Sequence, residues 1–245
     1  MSSNDCNENN NLPDVTHASD IDFQFPKPSK NVEANIVKRI QDTVKAECVM
    51  LSKTGETYIS KEGVRKILFT DNPGVNKFIN DLDQEEIKKI NGKQMIPTPE
   101  VNKELSKRIQ EPREQQEREN LKYSEQCVNS FRDNSDAEKR RTLEEEKIQR
   151  DLPSFTKKLK AKNNITNDEL TDEPLEDGAE AHHIERRADS PTQALNPDNI
   201  VYVNKNTHKE IHRDKDKEVS RESLEEKCME KNWKIPPKSR SSKKD

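Results

Sequence analysis

Residues 180–215 read EAHHIERRADSPTQALNPDNIVYVNKNTHKEIHRDK. Two short apolar pieces frame the stretch. Glu180–Ile184 closes on a β-branched residue and reads as a short strand, and Asn199–Val203 (NIVYV) is the clearest strand of the chain. Asn196-Pro197-Asp198 between them marks a turn. Beyond the second strand, Thr207 is placed to cap a helix that starts at HKEIHRDK. Strand, long loop, strand and helix make a ββα unit.

The chain has five histidines, and four of them (His182, His183, His208 and His212) fall inside this stretch. His208 and His212 are four residues apart, so a helix projects both imidazoles from one face, one turn apart, where two ring nitrogens can share an ion. His182 and His183 are neighbours on a strand and therefore point to opposite sides. Whichever of them faces the helix completes a three-imidazole metal site. The other is left outside the set, free to act as a base. Three protein ligands with one position open is the arrangement of catalytic rather than structural zinc.

In order and spacing the segment resembles the HNH, or ββα-metal, nuclease motif, most closely the version found in colicin and pyocin DNases. The residues that carry the resemblance are Glu180-Ala-His182-His183, Asp198-Asn199-Ile200 and His208-Lys-Glu-Ile-His212-Arg213, with gaps of 16, 9 and 4 from His183 through Asn199 and His208 to His212. The resemblance implies a metal-dependent endonuclease that hydrolyses DNA phosphodiester bonds. It makes His183 the general base and His182, His208 and His212 the ligands of one divalent ion. It also implies that Asn199 ties the loop between the strands and that Glu180 is a polar support. A histidine titrates near neutrality, which suits a base, and Arg186, Arg187 or Arg213 could clamp a neighbouring phosphate. Imidazole donors suit Zn²⁺ or Ni²⁺, with Mg²⁺ or Mn²⁺ the further candidates. The sequence also departs from the motif. The loop ERRADSPTQAL lacks glycine, LEDGAE stands where an arginine-bearing strand is usual, and the chain continues for 33 residues after His212.

Outside this segment the chain is polar. Of 245 residues, 38% are charged, 4% aromatic and 28% hydrophobic, with a net charge of −4. That balance argues for a small packed core with solvated helices and tails. No apolar run approaches the roughly 20 residues needed to span a bilayer, and the opening MSSNDCNENNNLPDV has no apolar core for secretion, so a cytoplasmic protein without a membrane partner is expected. Cys6, Cys48, Cys127 and Cys228 lie far apart and read as reduced thiols.

The fold class expected is α+β, mostly helical. Residues 1–30 are Asn/Asp/Ser/Pro-rich and read as disordered. Residues 31–110 read as a small helical region: Val32, Ile36, Ile40, Val44 and Cys48 recur every four residues in a helix running to Leu51, and ETYIS is a short extended piece. Val64, Ile67 and Leu68, then a turn at Asp71-Asn72-Pro73-Gly74, then Val75, Phe78, Ile79 and Leu82 give the outline of a helix-turn-helix. Residues 111–163 read as a charged, solvated helical linker interrupted by Pro112 and Pro153, with Lys139, Arg140 and Arg141 as an alternative phosphate-contacting face. Residues 164–215 form the ββα unit behind an acidic loop, and residues 216–245 a helix to about Asn232 followed by a basic tail. DNA is the expected partner, with RNA also open. Two alternatives stand beside a nuclease: a DNA-binding regulator with a degenerate ββα zinc unit, and a nuclease toxin with a cognate inhibitor. A phage or mobile-element protein is a further candidate partner.

Overall fold

A computed structural model describes residues 14–84, 86–213 and 220–240. The chain is α+β and divides into two units, residues 1–144 and 145–245. In the first, strands β1 (Val15–His17), β2 (Cys48–Leu51), β3 (Thr57–Ser60), β4 (Lys88–Ile90) and β5 (Lys93–Pro97) form one antiparallel sheet in the order β1-β2-β3-β5-β4. Helices α1 (Ala34–Glu47), α2 (Lys61–Ile67), α3 (Asn72–Asn80), α4 (Thr98–Gln110) and α5 (Gln115–Arg132) complete it, and α6 (Ser135–Lys162) starts within it. Among the described residues no helix is long and apolar enough to cross a membrane.

The sheet is the main correction to the expected helical region. The stripe of the first helix is real, with Ile40 and Val44 buried on α1. The spacing would carry that helix to Leu51, but Cys48–Leu51 is strand β2, buried throughout and paired with β3. A short run covered on both faces has no period that separates helix from strand. The hairpin between β4 and β5 turns on Asn91-Gly92, both at positive φ (50° and 75°), which is the strongest short-range hairpin signal a sequence offers. The two helices of the supposed helix-turn-helix are present as α2 and α3, but Asp71–Gly74 is not a turn. Asp71 caps α3, accepting from the Gly74 amide at 2.9 Å, and Pro73 sits in its first turn.

Residues 14–30 are ordered, against expectation: β1 pairs with β2, Ala18 and Ile21 are buried, and the Phe23 ring packs 5.6 Å from that of Phe131. A few apolar residues diluted among Asn and Asp escape a compositional reading. Residues 1–13 lie outside the described residues. The chain breaks between α4 and α5 around Pro112, as expected, but these helices are no solvated linker. Val101, Leu105, Leu121, Val128 and Phe131 are buried in the same core as Ile40, Ile59 and Ile67. Arg140 and Arg141 are engaged as well, donating to the carbonyls of Ser52 and Gly55 in the β2–β3 turn, while Lys139 is exposed. Pro153 does not end α6, which runs through it to Lys162.

In the second unit, β6 (Glu180–His183) and β7 (Ile200–Val203) pair antiparallel, with His182 opposite Val201 and His183 opposite Ile200. Helix α7 (Lys205–Ile211) follows at once, and α8 (Arg221–Lys231) packs beside it. Alternation along β7 splits its side chains. Val201 and Val203 join Leu170, Ile184, Ile211, Leu224 and Cys228 in one cluster, whereas Ile200 and Tyr202 meet Leu159 of α6. Helix α8 ends at Asn232 in the left-handed conformation, as the sequence suggests. Within the basic tail the Arg240 side chain is 6% exposed, its guanidinium donating to Glu169 (2.6 Å) and to the Ile200 carbonyl (2.7 Å). Residues 214–219 and 241–245 lie outside the described residues.

Candidate metal centre

Register places the histidines. Opposite residues of an antiparallel pair share a face, so His182 lies with Val201 on the side that carries α7, and His183 lies with Ile200 on the other. Helix α7 leaves β7 directly, with Asn204 rather than Thr207 at its N-cap; Thr207 is a buried residue of the first turn. Asn204 is held from outside the helix. Its amide donates to Asp168 (2.7 Å), and its side chain bonds Glu176 N (2.9 Å) and Pro174 O (3.1 Å). Asp168, fully buried, also accepts from the Leu170 and Thr171 amides. The segment read as an acidic loop is thus a brace for the start of α7.

So placed, His182, His208 and His212 converge. One ring nitrogen from each lies within 4.8 Å of the others, close enough to hold a metal ion. His182 Nδ1 and His208 Nε2 are 3.1 Å apart, and the three ring centroids are separated by 4.7–5.0 Å. Metal–imidazole bonds of about 2.0–2.1 Å in a tetrahedral set call for nitrogens about 3.4 Å apart, a separation that the His182–His208 pair already meets. The donor set fits a cation in a second respect. Nδ1 of His182 and Nε2 of His208 face each other across a gap that only a proton or a cation makes attractive. Exposure rises from buried His182 through His208 to exposed His212, so the cluster is closed at the strand and open at the end of the helix.

The electrostatics favour neutral rings. Burial, followed by the charges of the neighbouring histidines, brings His182 down to about 3, and burial with His208 and Lys227 lowers His212. Glu180, at the start of β6, receives Nδ1–H of His208 at 2.6 Å, which directs Nε2 of that ring into the cluster.

His183 stands apart, as strand alternation requires. Its Nε2 is 2.9 Å from the carbonyl oxygen of Ala194, and a carbonyl only accepts, so Nε2 carries the proton and Nδ1 keeps a lone pair. The loop bearing Ala194 is stitched to Asn199. Oδ1 of Asn199 accepts from Glu185 N at 2.7 Å, and Nδ2 donates to the carbonyls of Glu185 and Gln193, each at 3.2 Å. A loop without glycine is therefore fixed by one buried amide side chain. Of the three arginines, Arg186 pairs with Asp189 and Arg213 with Glu210, both exposed, while Arg187 makes no ion pair among the described residues. Sequence reading missed Asp168, Asn204 and the Ala194 carbonyl. Asn204 ahead of a helical run was a readable cap signal, but a backbone carbonyl leaves none.

No family model, curated protein or solved structure matches the chain, so the site rests on its own geometry.

Proposed function

We propose that the second unit is an HNH-type, metal-dependent endonuclease that hydrolyses DNA phosphodiester bonds. One observation carries the reading. Three imidazoles converge on one side of a ββα unit while the adjacent histidine, on the other side, is held in the tautomer a base requires. In this reading Nδ1 of His183 takes a proton from water as its oxygen bonds to phosphorus, and the bond from phosphorus to the leaving sugar oxygen breaks, that oxygen taking a proton from solvent. The Ala194 carbonyl keeps the imidazole oriented, and polarises it further as positive charge develops on the ring. Asn199 holds that carbonyl in place through Gln193, and Glu180 positions His208. Arg186, Arg187 and Arg213 offer guanidinium groups to flanking phosphates, the first and last by exchanging exposed carboxylate partners. A divalent ion on His182, His208 and His212 would supply Lewis-acid stabilisation of the charge developing on the phosphate. The all-imidazole donor set favours Zn²⁺ or Ni²⁺ for binding, with Mg²⁺ and Mn²⁺ the others to test.

The test is cleavage of supercoiled plasmid by the full chain across a panel of divalent ions. Wild type should cut and stop cutting in chelator. His183→Ala should lose about 10²–10⁴-fold in rate, the range of a general base, while binding the same ion with unchanged stoichiometry by equilibrium dialysis. Full activity in His183→Ala would remove the base, and cleavage with none of the ions would remove the nuclease reading.

A further inference from the structure

A groove of about 880 Å³ lies in the first unit, between α1 and the end of α2. Its lining carries four cations, Lys38, Arg39, Arg65 and Lys66, against one carboxylate, Asp42. In a chain of net charge −4 that is a local reversal of sign, and a local field rather than the total charge governs which partners approach. The cations differ in their engagement. Arg65 is bidentate to Glu62 (2.6 and 2.9 Å), and Lys66 is shared between Glu62 and Glu47. Lys38 and Arg39, on the α1 wall, are exposed and have no carboxylate partner among the described residues. The Arg39 guanidinium lies instead 4.6 Å from the centroid of the Phe69 ring.

Phe69 is itself unusual. It follows the C-cap of α2 with φ of +49°, in the left-handed region where glycine is the usual residue and a bulky aromatic an outlier. The Thr70 amide closes the turn on the Arg65 carbonyl at 3.2 Å. A backbone conformation that glycine would adopt freely is occupied here by an aromatic ring that packs partly against the apolar core and partly lines the groove, where the Arg39 guanidinium covers it, and such outliers cluster at binding sites.

We propose that this groove binds a nucleic-acid strand, with Lys38 and Arg39 on successive phosphates and Phe69 beside the bases. A positive groove with an aromatic platform is the combination that tracks a phosphodiester backbone without reading its sequence. The site is independent of the histidine centre and does not rest on the nuclease reading.

The full-length protein is titrated in chelator, so that binding is read without cleavage. Fluorescent random-sequence oligonucleotides, duplex and single-stranded, are followed by anisotropy over a range of salt. The double variant Lys38→Ala/Arg39→Ala should bind about tenfold or more weakly. Its salt slope should fall by about 1.8 on duplex or about 1.4 on single strand, for two lost phosphate contacts. Phe69→Asn tolerates the left-handed backbone and removes the ring. A loss of single-strand affinity in that variant assigns the ligand to unstacked bases, and a loss confined to the double variant assigns it to the duplex backbone. Unchanged affinity and slope in the double variant, or no binding by wild type, overturns the proposal. Thermal melting checks the fold, and the exposed Lys38→Gln, expected to give half the slope change, serves if the double variant does not fold. Divalent-ion binding by the double variant should match wild type in equilibrium dialysis, which separates failure here from failure of the nuclease reading.

Discussion

Nδ1 of His183 is left with a lone pair because a single backbone carbonyl, that of Ala194, occupies the other ring nitrogen. The same logic applies at His208, where Glu180 takes the Nδ1 proton and leaves Nε2 to face His182. Both rings are set by what their second nitrogen touches. Glu180→Ala should therefore lower affinity for a divalent ion by about tenfold, the low end of the range for removing a ligand's hydrogen-bond partner. The low end applies because the Glu180 side chain is 44% exposed and water can replace it. Isothermal titration of the full chain measures this, and unchanged affinity would mean that His208 needs no support. The strand alternation behind the split between His182 and His183 was legible in the sequence, because it follows from the two-residue period alone. Which of the two faces the helix does not follow from that period, and only the resemblance pointed to His182. The facing itself depended on β6 pairing with β7 in the register that sets His182 against Val201.

Helix α6 shows how an element can override its own punctuation. Pro153 lies in its interior and is exposed, so it removes a ladder hydrogen bond and contributes no packing in return. The helix persists because Leu159, further along, is anchored against Ile200 and Tyr202, and because the Tyr202 hydroxyl bonds to the Thr156 carbonyl. Pro153→Ala should accordingly stabilise the protein by about 1–3 kcal/mol, measured by urea denaturation. A destabilised variant would mean that the proline fixes a bend the unit requires. Elements were legible where a period or a cap was local: the stripe of α1, the break at Pro112 and the end of α8; the Asn91-Gly92 hairpin carried a local signal as well, and the helical reading of residues 31–110 passed over it. Strand β2 was hidden because Val44 and Cys48 keep helical spacing across a junction that only pairing with β3 reveals. Strand β1 was hidden because three residues in a polar segment become a strand only when an edge is offered to them.

Over the whole chain the two units each carry their own hydrophobic clusters, and the three clustered histidines belong entirely to the second. A ligand that binds only the folded state stabilises the part that holds it. Divalent ion at a hundredfold excess over its dissociation constant should raise the opening free energy around residues 180–212 by about 2.7 kcal/mol. Amide exchange there should slow, while exchange in the α4–α5 core stays unchanged. His208→Ala should abolish the effect, and equal slowing in both units would show that the ion acts elsewhere. The sequence by itself determined the ββα order, the helical pairing of His208 with His212 and the opposed sides of His182 and His183, because those follow from local periods of 3.6 and 2. The resemblance had already named His182 beside His208 and His212, and the tertiary structure decided that the three rings converge, that His183 meets the Ala194 carbonyl, that Asp168 braces α7, and that a sheet lies within the first unit. Each of those depends on a partner distant in the chain, and local propensity carries no information about which distant segment will bury a face or satisfy a buried polar group.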